Sequence, residues 1–430
     1  MRVAEKENTP KVITGNHVVG GKTLTGRIAS NLLWSILSEA ITKGILFFAN
    51  IYLARALGVS NFGVYTFAQT ITFYIWLAVD LGIGMYGIRE IAKDKEKAGH
   101  IINPLLTLRI FSGIIFFLLY TMSLLLIDLP ITKRLAFMGC GLYLLTYSLY
   151  SDWILKGLEK FKFIALGSLV SSSVFFISIL YFVRSSDDLV SASFIWSLSF
   201  LPASVSLIYF LQKILAIKYS PSFDIKLWLF HIKESIYFSI SGVLMTIYQY
   251  LPILYLSIFF TSYEVGLFSA PYRLIIAIGA SGYIIPMAFY PVFSELYLQD
   301  SSEFRKTHIR FQKIMLSLGI PVGVIGALFG DEIINLVFGS QYMQASRVFK
   351  MLIWLVPLYF LRYTYGSVLL ACGLQRVHNV ATLIGALCMG ITGLFLVPAY
   401  NIAGGAISLL LSEILILCSM AYILYKRIKK

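Results

Sequence analysis

Charged side chains are scarce. Asp, Glu, Lys and Arg make up 13% of the 430 residues, about half the share of a soluble domain, so this chain lacks the ionic surface that keeps a globular protein in water. Histidine and cysteine are few as well. His17, His100, His231, His308 and His378 show no ligand spacing, and Cys140, Cys372, Cys388 and Cys418 lie in or at the ends of apolar runs. That scatter argues against a metal site or a disulfide framework and leaves the cysteines as packing residues. No short charged leader opens the chain: residues 1–27 are polar throughout, so a cleavable signal peptide is not expected. A complete phosphate loop is missing too. GNHVVGGKT, residues 15–23, approaches G-x-x-x-x-G-K-[ST], but Asn16 stands in place of the first glycine, and no strand and helix fit around it before the first apolar run. No cofactor or nucleotide is expected, so any energy must come from an ion gradient, the membrane potential or the substrate itself.

What the chain does have is apolar sequence, 58% of its residues. A spanning helix needs about 20 such residues, and about a dozen runs qualify. The expected fold is therefore an all-α integral membrane protein of about 12 transmembrane helices in two six-helix, pseudo-repeated lobes around a central cavity. The divisions are a tail at 1–27, an N-lobe at 28–211, a linker at 212–233, a C-lobe at 234–425 and a basic end at 426–430. Span four is expected at 135–153 and span eight at 266–291. The net charge of +14 follows the loops: with the N-terminus inside, cytoplasmic segments carry 25 Lys and Arg against 6 outside. That bias places both termini in the cytoplasm and explains the basic character without a nucleic acid.

Two internal echoes support duplication. FGVYTFAQT (62–70) matches VGLFSAPYR (265–273) at an offset of 203, and LKGLEKFKFIA (155–165) matches ACGLQRVHNVA (371–381) at 216. Both relate helices six apart, and an even number of spans per unit gives a parallel repeat with an axis along the membrane normal.

Within the spans, a few polar residues stand out because an unpaired charge at bilayer depth costs about 3 kcal/mol. Arg273 sits in GLFSAPYRLIIAIGASG (266–282). On its helical face lie Gly266, Ser269, Ala270, Ala277 and Ala280, while Leu267, Phe268, Leu274 and Ile275 form a face suited to lipid. Arg273 is thus expected to point inward, with snorkelling as the competing reading. Glu39, Lys43 and Asn50 share a face in span one, where Glu39 and Lys43 either neutralise each other or leave Lys43 for an anionic ligand. Gln249 lies beside Pro252, which can kink span seven and free a carbonyl. Arg362 either serves a ligand or pairs with another helix. Glu413 is either its partner or a protonatable coupling group, and Asp80 is satisfied by Arg89 or by water. The substrate-binding candidates are therefore Lys43, Asn50, Gln249, Arg273 and Arg362, and the ion-coupling or charge-pairing candidates are Glu39, Asp80 and Glu413.

NIYLARALGVSNFGVYTFAQTI (50–71), DLGIGMYGIREIA (80–92), WILKGLEKFKFIA (153–165), YEVGLFSAPYRL (263–274) and FGDEIINLVFGSQYMQASRVFKML (329–352) resemble the Wzx-like polysaccharide biosynthesis flippases of the multidrug/oligosaccharidyl-lipid/polysaccharide exporter superfamily. The resemblance runs from about Arg27 over nearly the whole chain. It implies a cell-membrane flippase that carries a polyprenyl-diphosphate-linked oligosaccharide to the outer leaflet by alternating access. In such a flippase the diphosphate lies in a cationic cavity, to which Arg273 and Lys43 correspond. It also implies a bilayer-embedded chain acting alongside a polysaccharide polymerase, and one two-lobed monomer would contain the whole pathway. A multidrug exporter of the same superfamily would want acidic cavity residues for organic cations. A membrane polymerase or ligase would want more outer surface than the loop at about 330–346.

Overall fold

The computed structural model describes residues 24–214, 219–299 and 301–428. Tail residues 1–23 with their glycine-rich stretch, part of the expected linker and the last two residues lie outside the described residues. Among the described residues every regular element is helical, as lipid demands of a backbone that must satisfy its own polar groups. In order, the helices are α1 Leu24–Asp80, α2 Ile83–Lys93, α3 Ala98–Leu126, α4 Ile131–Gly141, α5 Tyr143–Thr146, α6 Asp152–Gly157, α7 Phe161–Phe182, α8 Leu189–Leu198 and α9 Phe200–Tyr209. They continue with α10 Ile225–Phe259, α11 Ser262–Ser281, α12 Ile284–Gln299, α13 Ser301–Leu328, α14 Gly330–Phe338, α15 Ser346–Leu352, α16 Leu355–Ala371 and α17 Gln375–Ile428. Eight described helices are long and apolar enough to cross a membrane, or nine if the pair bent by 41° at 340–371 counts as one.

Two of these helices fold back on themselves. Gly58 in α1 takes φ 71° and ψ 171°, a backbone state that glycine reaches without the Cβ penalty. Asn50 and Gln69, on opposite sides of it, both bond one guanidinium, that of Arg273. On a straight helix they would stand about 28 Å apart, so α1 is a hairpin of two limbs. Asn401 breaks α17 in the same way, with φ 54° and ψ −134°. A Cβ on Gly404 would lie 1.9 Å from the Leu396 carbonyl oxygen, a pair that a straight helix would separate by about 12 Å.

Span four departs from the expected continuous helix: it breaks into α4, α5 and α6. The break is filled by an aromatic ladder in which Tyr143 stacks on Trp196 at 4.8 Å and on Tyr147 at 4.7 Å, and Tyr147 stacks on Tyr150 at 5.2 Å. Ser148 and Ser151 donate to the carbonyls of Leu145 and Leu149, and Arg109 donates to that of Tyr150 at 3.3 Å. Irregular backbone survives at membrane depth only when such partners re-satisfy it. The expected linker is also shorter than its polar composition suggests, because Asp224 caps α10 by accepting from the amides of Lys226 and Leu227, and the helix starts at Ile225.

One succession recurs along the chain. Residues 59–80 are followed by a turn at 81–82 and then α2; α11 is followed by a turn at 282–283 and then α12. Apolar residues such as Leu118, Leu119, Met122 and Leu125 on α3 stay exposed, as a lipid-facing surface requires.

Candidate functional site: an arginine cavity between α1, α10 and α11

A cavity of about 560 Å³ lies among both limbs of α1, α8, α10 and α11. Arg273 of α11 stands in its wall. Its guanidinium donates to Asn50 Oδ1, to Gln69 Oε1 at 2.5 Å and to Thr66 Oγ1 at 3.4 Å. The ring faces of Phe62 and Tyr65 lie 5.4 and 5.9 Å from its central carbon. Among the described residues no carboxylate comes within ion-pair distance of it. The site is therefore a cation held by neutral oxygens and ring faces, with its charge left for something else. Arg273 does not snorkel: its partners sit beside it in the cavity.

The remaining candidates separate into two groups. Asn50, Gln249 and Lys43 line the same cavity as Arg273. Lys43 also pairs with Glu39 at 2.5 Å, with both side chains half-exposed. The pair faces an adjoining cavity of about 350 Å³, which is lined mainly by apolar groups such as Phe47, Ile278, Ile284 and Met287. α10 continues through Pro252, and the neighbouring carbonyls of Ile247 and Gln249 accept from the hydroxyls of Tyr74 and Tyr272 at 3.3 and 3.1 Å.

Arg362 lies elsewhere and does not line the cavity. Its Nε is 3.1 Å from Glu413 Oε1, and Tyr248 donates to Glu413 Oε2 at 2.6 Å. The rings of Tyr359 and Tyr363 cover it at 5.0 and 5.4 Å. Asp80 is paired with Arg109 at 3.3 Å, whereas Arg89, its expected partner, lies over Phe238 and near Glu90. Arg109 also rests on the face of Trp76 at 4.8 Å.

One expectation about α11 is overturned. Leu267, Phe268, Leu274 and Ile275 face protein instead of lipid, all nearly fully buried, and Phe268 packs against Gly405 of α17. Core-facing and lipid-facing surfaces are equally apolar in a membrane protein, so periodicity alone cannot separate them.

Sequence reasoning missed Gln69, Thr66 and Arg109. Gln69 and Thr66 do lie on one face of their limb, three residues apart, but only the hairpin at Gly58 brings that face to Asn50. Arg109 carried the one legible signal, a lone charge in an apolar run, with nothing local to name its partner.

The family described as polysaccharide biosynthesis protein matches residues 28–297, and this chain belongs to it. A protein assigned as an O-antigen transporter in Shigella dysenteriae is 25% identical over 382 residues, covering 86% of this chain and 93% of that one. A similarly assigned Shigella flexneri protein is 27% identical over 411 residues, covering 89% and 94%. Among solved structures, the lipid II flippase MurJ in an inward closed conformation superposes with a TM-score of 0.73 at 14% identity, covering 91% of this chain and 87% of that one. A multidrug resistance MATE family transporter of the MOP superfamily, inward-facing, gives 0.71 at 14%, covering 90% and 94%. The fold is thus that of the MurJ and MATE transporters, and the chain is a multi-pass membrane protein of the inner membrane.

Proposed function

We propose that this member of the polysaccharide biosynthesis family is a flippase, which moves a polyprenyl-diphosphate-linked oligosaccharide from the cytoplasmic to the outer leaflet by alternating access. The observation that carries the reading is Arg273, a half-buried cation whose partners among the described residues are all neutral, in a cavity between α1 and α11. A diphosphate offers charged oxygens that a guanidinium fork binds more strongly than it binds amide oxygens. The polar cavity suits sugars, since Asn50, Gln249 and Gln69 can bond hydroxyls and Trp196 and Tyr250 offer ring faces. The adjoining apolar cavity between α1 and α11–α12 suits the lipid tail, with Lys43 at the junction of the two. The O-antigen assignment of two relatives that span most of the chain supports this cargo. The work is transport, not bond making, and an organic cation is disfavoured beside an unpaired arginine.

Twelve crossings in two lobes complete the reading. Counting each hairpin as two crossings, and α4–α6, α8–α9, α11–α12 and α15–α16 as one each, leads to twelve with both ends on the cytoplasmic side. The recurrent succession of α1–α2 and α11–α12 supports two equivalent halves joined near 212–233. Glu39, Asp80 and Glu413 act as charge partners of Lys43, Arg109 and Arg362, and the driving force is an ion gradient or the membrane potential. A single chain contains the pathway and hands its cargo to polymerising machinery.

The test is leaflet translocation of a fluorescent polyprenyl-diphosphate oligosaccharide in proteoliposomes, comparing wild type with Arg273→Ala at equal incorporation. Loss of two charge-assisted hydrogen bonds should slow flipping by about 100-fold. Equal rates remove Arg273 from the binding role, and no flipping by wild type under any ion gradient removes the cargo.

A further inference from the structure

The end of the molecule that the charge bias assigns to the outside is closed by backbone against backbone. A Cβ on Gly63 would lie 1.8 Å from the Ser262 carbonyl oxygen, and one on Gly266 would lie 2.0 Å from that of Val59. These are the same contact seen from two sides, because 59 and 262, like 63 and 266, are related by the offset of 203 found in the repeated stretches. Position i meets j′ while i′ meets j, which is how surfaces related by a two-fold axis touch. At both glycines the nearest atoms are backbone, and the first side-chain atom is Val59 Cγ1, 3.1 Å from a Cβ on Gly266, so at this point the two helices meet through backbone and can part without withdrawing a large side chain. The same end is tied by Arg55, which donates to the carbonyls of Val337 at 2.8 Å and of Leu336, and by Tyr342, which donates to the Ala54 carbonyl at 3.1 Å.

About 10 Å deeper, at 1.5 Å per residue, lies the Arg273 cluster. Its geometry is lopsided: the arginine comes from α11, and all three of its hydrogen-bonding partners, Asn50, Thr66 and Gln69, come from α1. The hydrogen bonds that satisfy the empty cation therefore also fasten the first hairpin to α11 beneath the glycine crossing. Arg273 cannot keep all of them and also fork an anion. Amide oxygens are neutral acceptors and yield to phosphate oxygens, whereas a carboxylate in their place would hold.

We propose that Asn50 and Gln69 are positioning residues that form, with Arg273, a ligand-released latch on the outer closure. An anion entering from the cytoplasmic side takes the guanidinium from the two amides, the hairpin of α1 comes free of α11, and the Gly63–Gly266 crossing parts. The neutrality of Asn50 and Gln69 also sets specificity, since it leaves the cavity selective for anions and makes release depend on one. The diphosphate-lipid identity of that anion rests on the proposed function; the latch itself does not.

The experiment follows labelling of Val59→Cys, whose side chain is covered at the crossing, by a membrane-impermeant maleimide applied outside intact cells, over the background of the four native cysteines. Without ligand, Asn50→Ala/Gln69→Ala should label roughly 100-fold faster than the otherwise unchanged chain, the effect of losing two charge-assisted bonds. Asn50→Asp, which gives Arg273 an ion pair, should label more slowly than the parent. A double variant that is folded by thermal-shift assay yet labels at the parental rate overturns the latch. So does an Asn50→Asp variant that speeds labelling as alanine does, because the change would then be one of packing. In right-side-out vesicles loaded with polyprenyl diphosphate or with inorganic diphosphate, the parent should label faster. If neither probe does this while the double variant opens, the latch stands and the diphosphate cargo is what falls.

Discussion

Arg273 and Arg362 both come from membrane-depth helices of the C-terminal half, and both are bordered by aromatic faces. Their partners differ. Arg362 meets the carboxylate of Glu413, itself held by Tyr248, and the group closes on itself. Arg273 meets two amides and a hydroxyl, and it faces open volume. A buried charge with a counter-charge is a finished structural unit. One satisfied only by neutral dipoles retains most of its field, and an anion can still gain from it. Arg109 is of the first kind, paired with Asp80 and resting on Trp76. Three intramembrane arginines thus divide by partner chemistry into two that hold the fold and one that can hold a ligand.

The sharpest way to break that division is Glu413→Ala. Stranding the Arg362 charge should cost about 3–5 kcal/mol, read as thermal unfolding in detergent, and Arg362→Met/Glu413→Leu should recover most of it. Arg273→Ala should shift the same unfolding by no more than about 1 kcal/mol despite its large effect on flipping, because no buried carboxylate is left behind. Similar losses of stability from both variants would collapse the distinction. Asp80→Asn should fall between them, at about 1–2 kcal/mol, since Asp80 is partly exposed and Arg109 keeps the Tyr150 carbonyl and the Trp76 face.

The smallest effect lies outside the membrane. His231 near the start of α10 is buried against the Tyr86 hydroxyl of α2 at 3.1 Å, and burial holds its imidazole below the usual histidine range, opposed by Glu90. The folded state therefore prefers neutral His231. Its contribution is present above the unfolded pKa of about 6.5 and declines as pH falls below that value. Amide exchange in α2 should quicken between pH 7 and pH 5, and His231→Asn should flatten that dependence. The same acid shift should leave the Arg273 cluster unchanged, because none of its members titrates in that range.

Much of this was visible in the chain itself. The apolar runs announce a membrane protein because lipid imposes length and polarity on each segment separately. The inward aim of Arg273 followed from the small residues on its face, and the repeat of 62–70 at 265–273 marked the two stretches that prove to cross. The failures share a cause. Sequence proximity offers Arg89 or water to Asp80, whereas Arg109 on α3 reaches it instead. Periodicity assigns Leu267 and Phe268 to lipid, whereas both are buried and Phe268 packs on Gly405 of α17. The break at 142–151 depends on the Trp196 ring and the Arg109 guanidinium from other helices.

The sequence by itself determined which segments are apolar enough to enter the membrane and which residues carry charge into the apolar interior, because each of these is a transfer free energy that a segment pays alone. Only the tertiary structure decided who stands beside each charge. Gly58 brings Asn50 to Gln69, the glycine crossing sets both beneath α11, and so Arg273 has neutral neighbours while Arg109 and Arg362 have carboxylates. Pairing is a property of three-dimensional proximity, and electrostatic energy falls with distance in space, not along the chain.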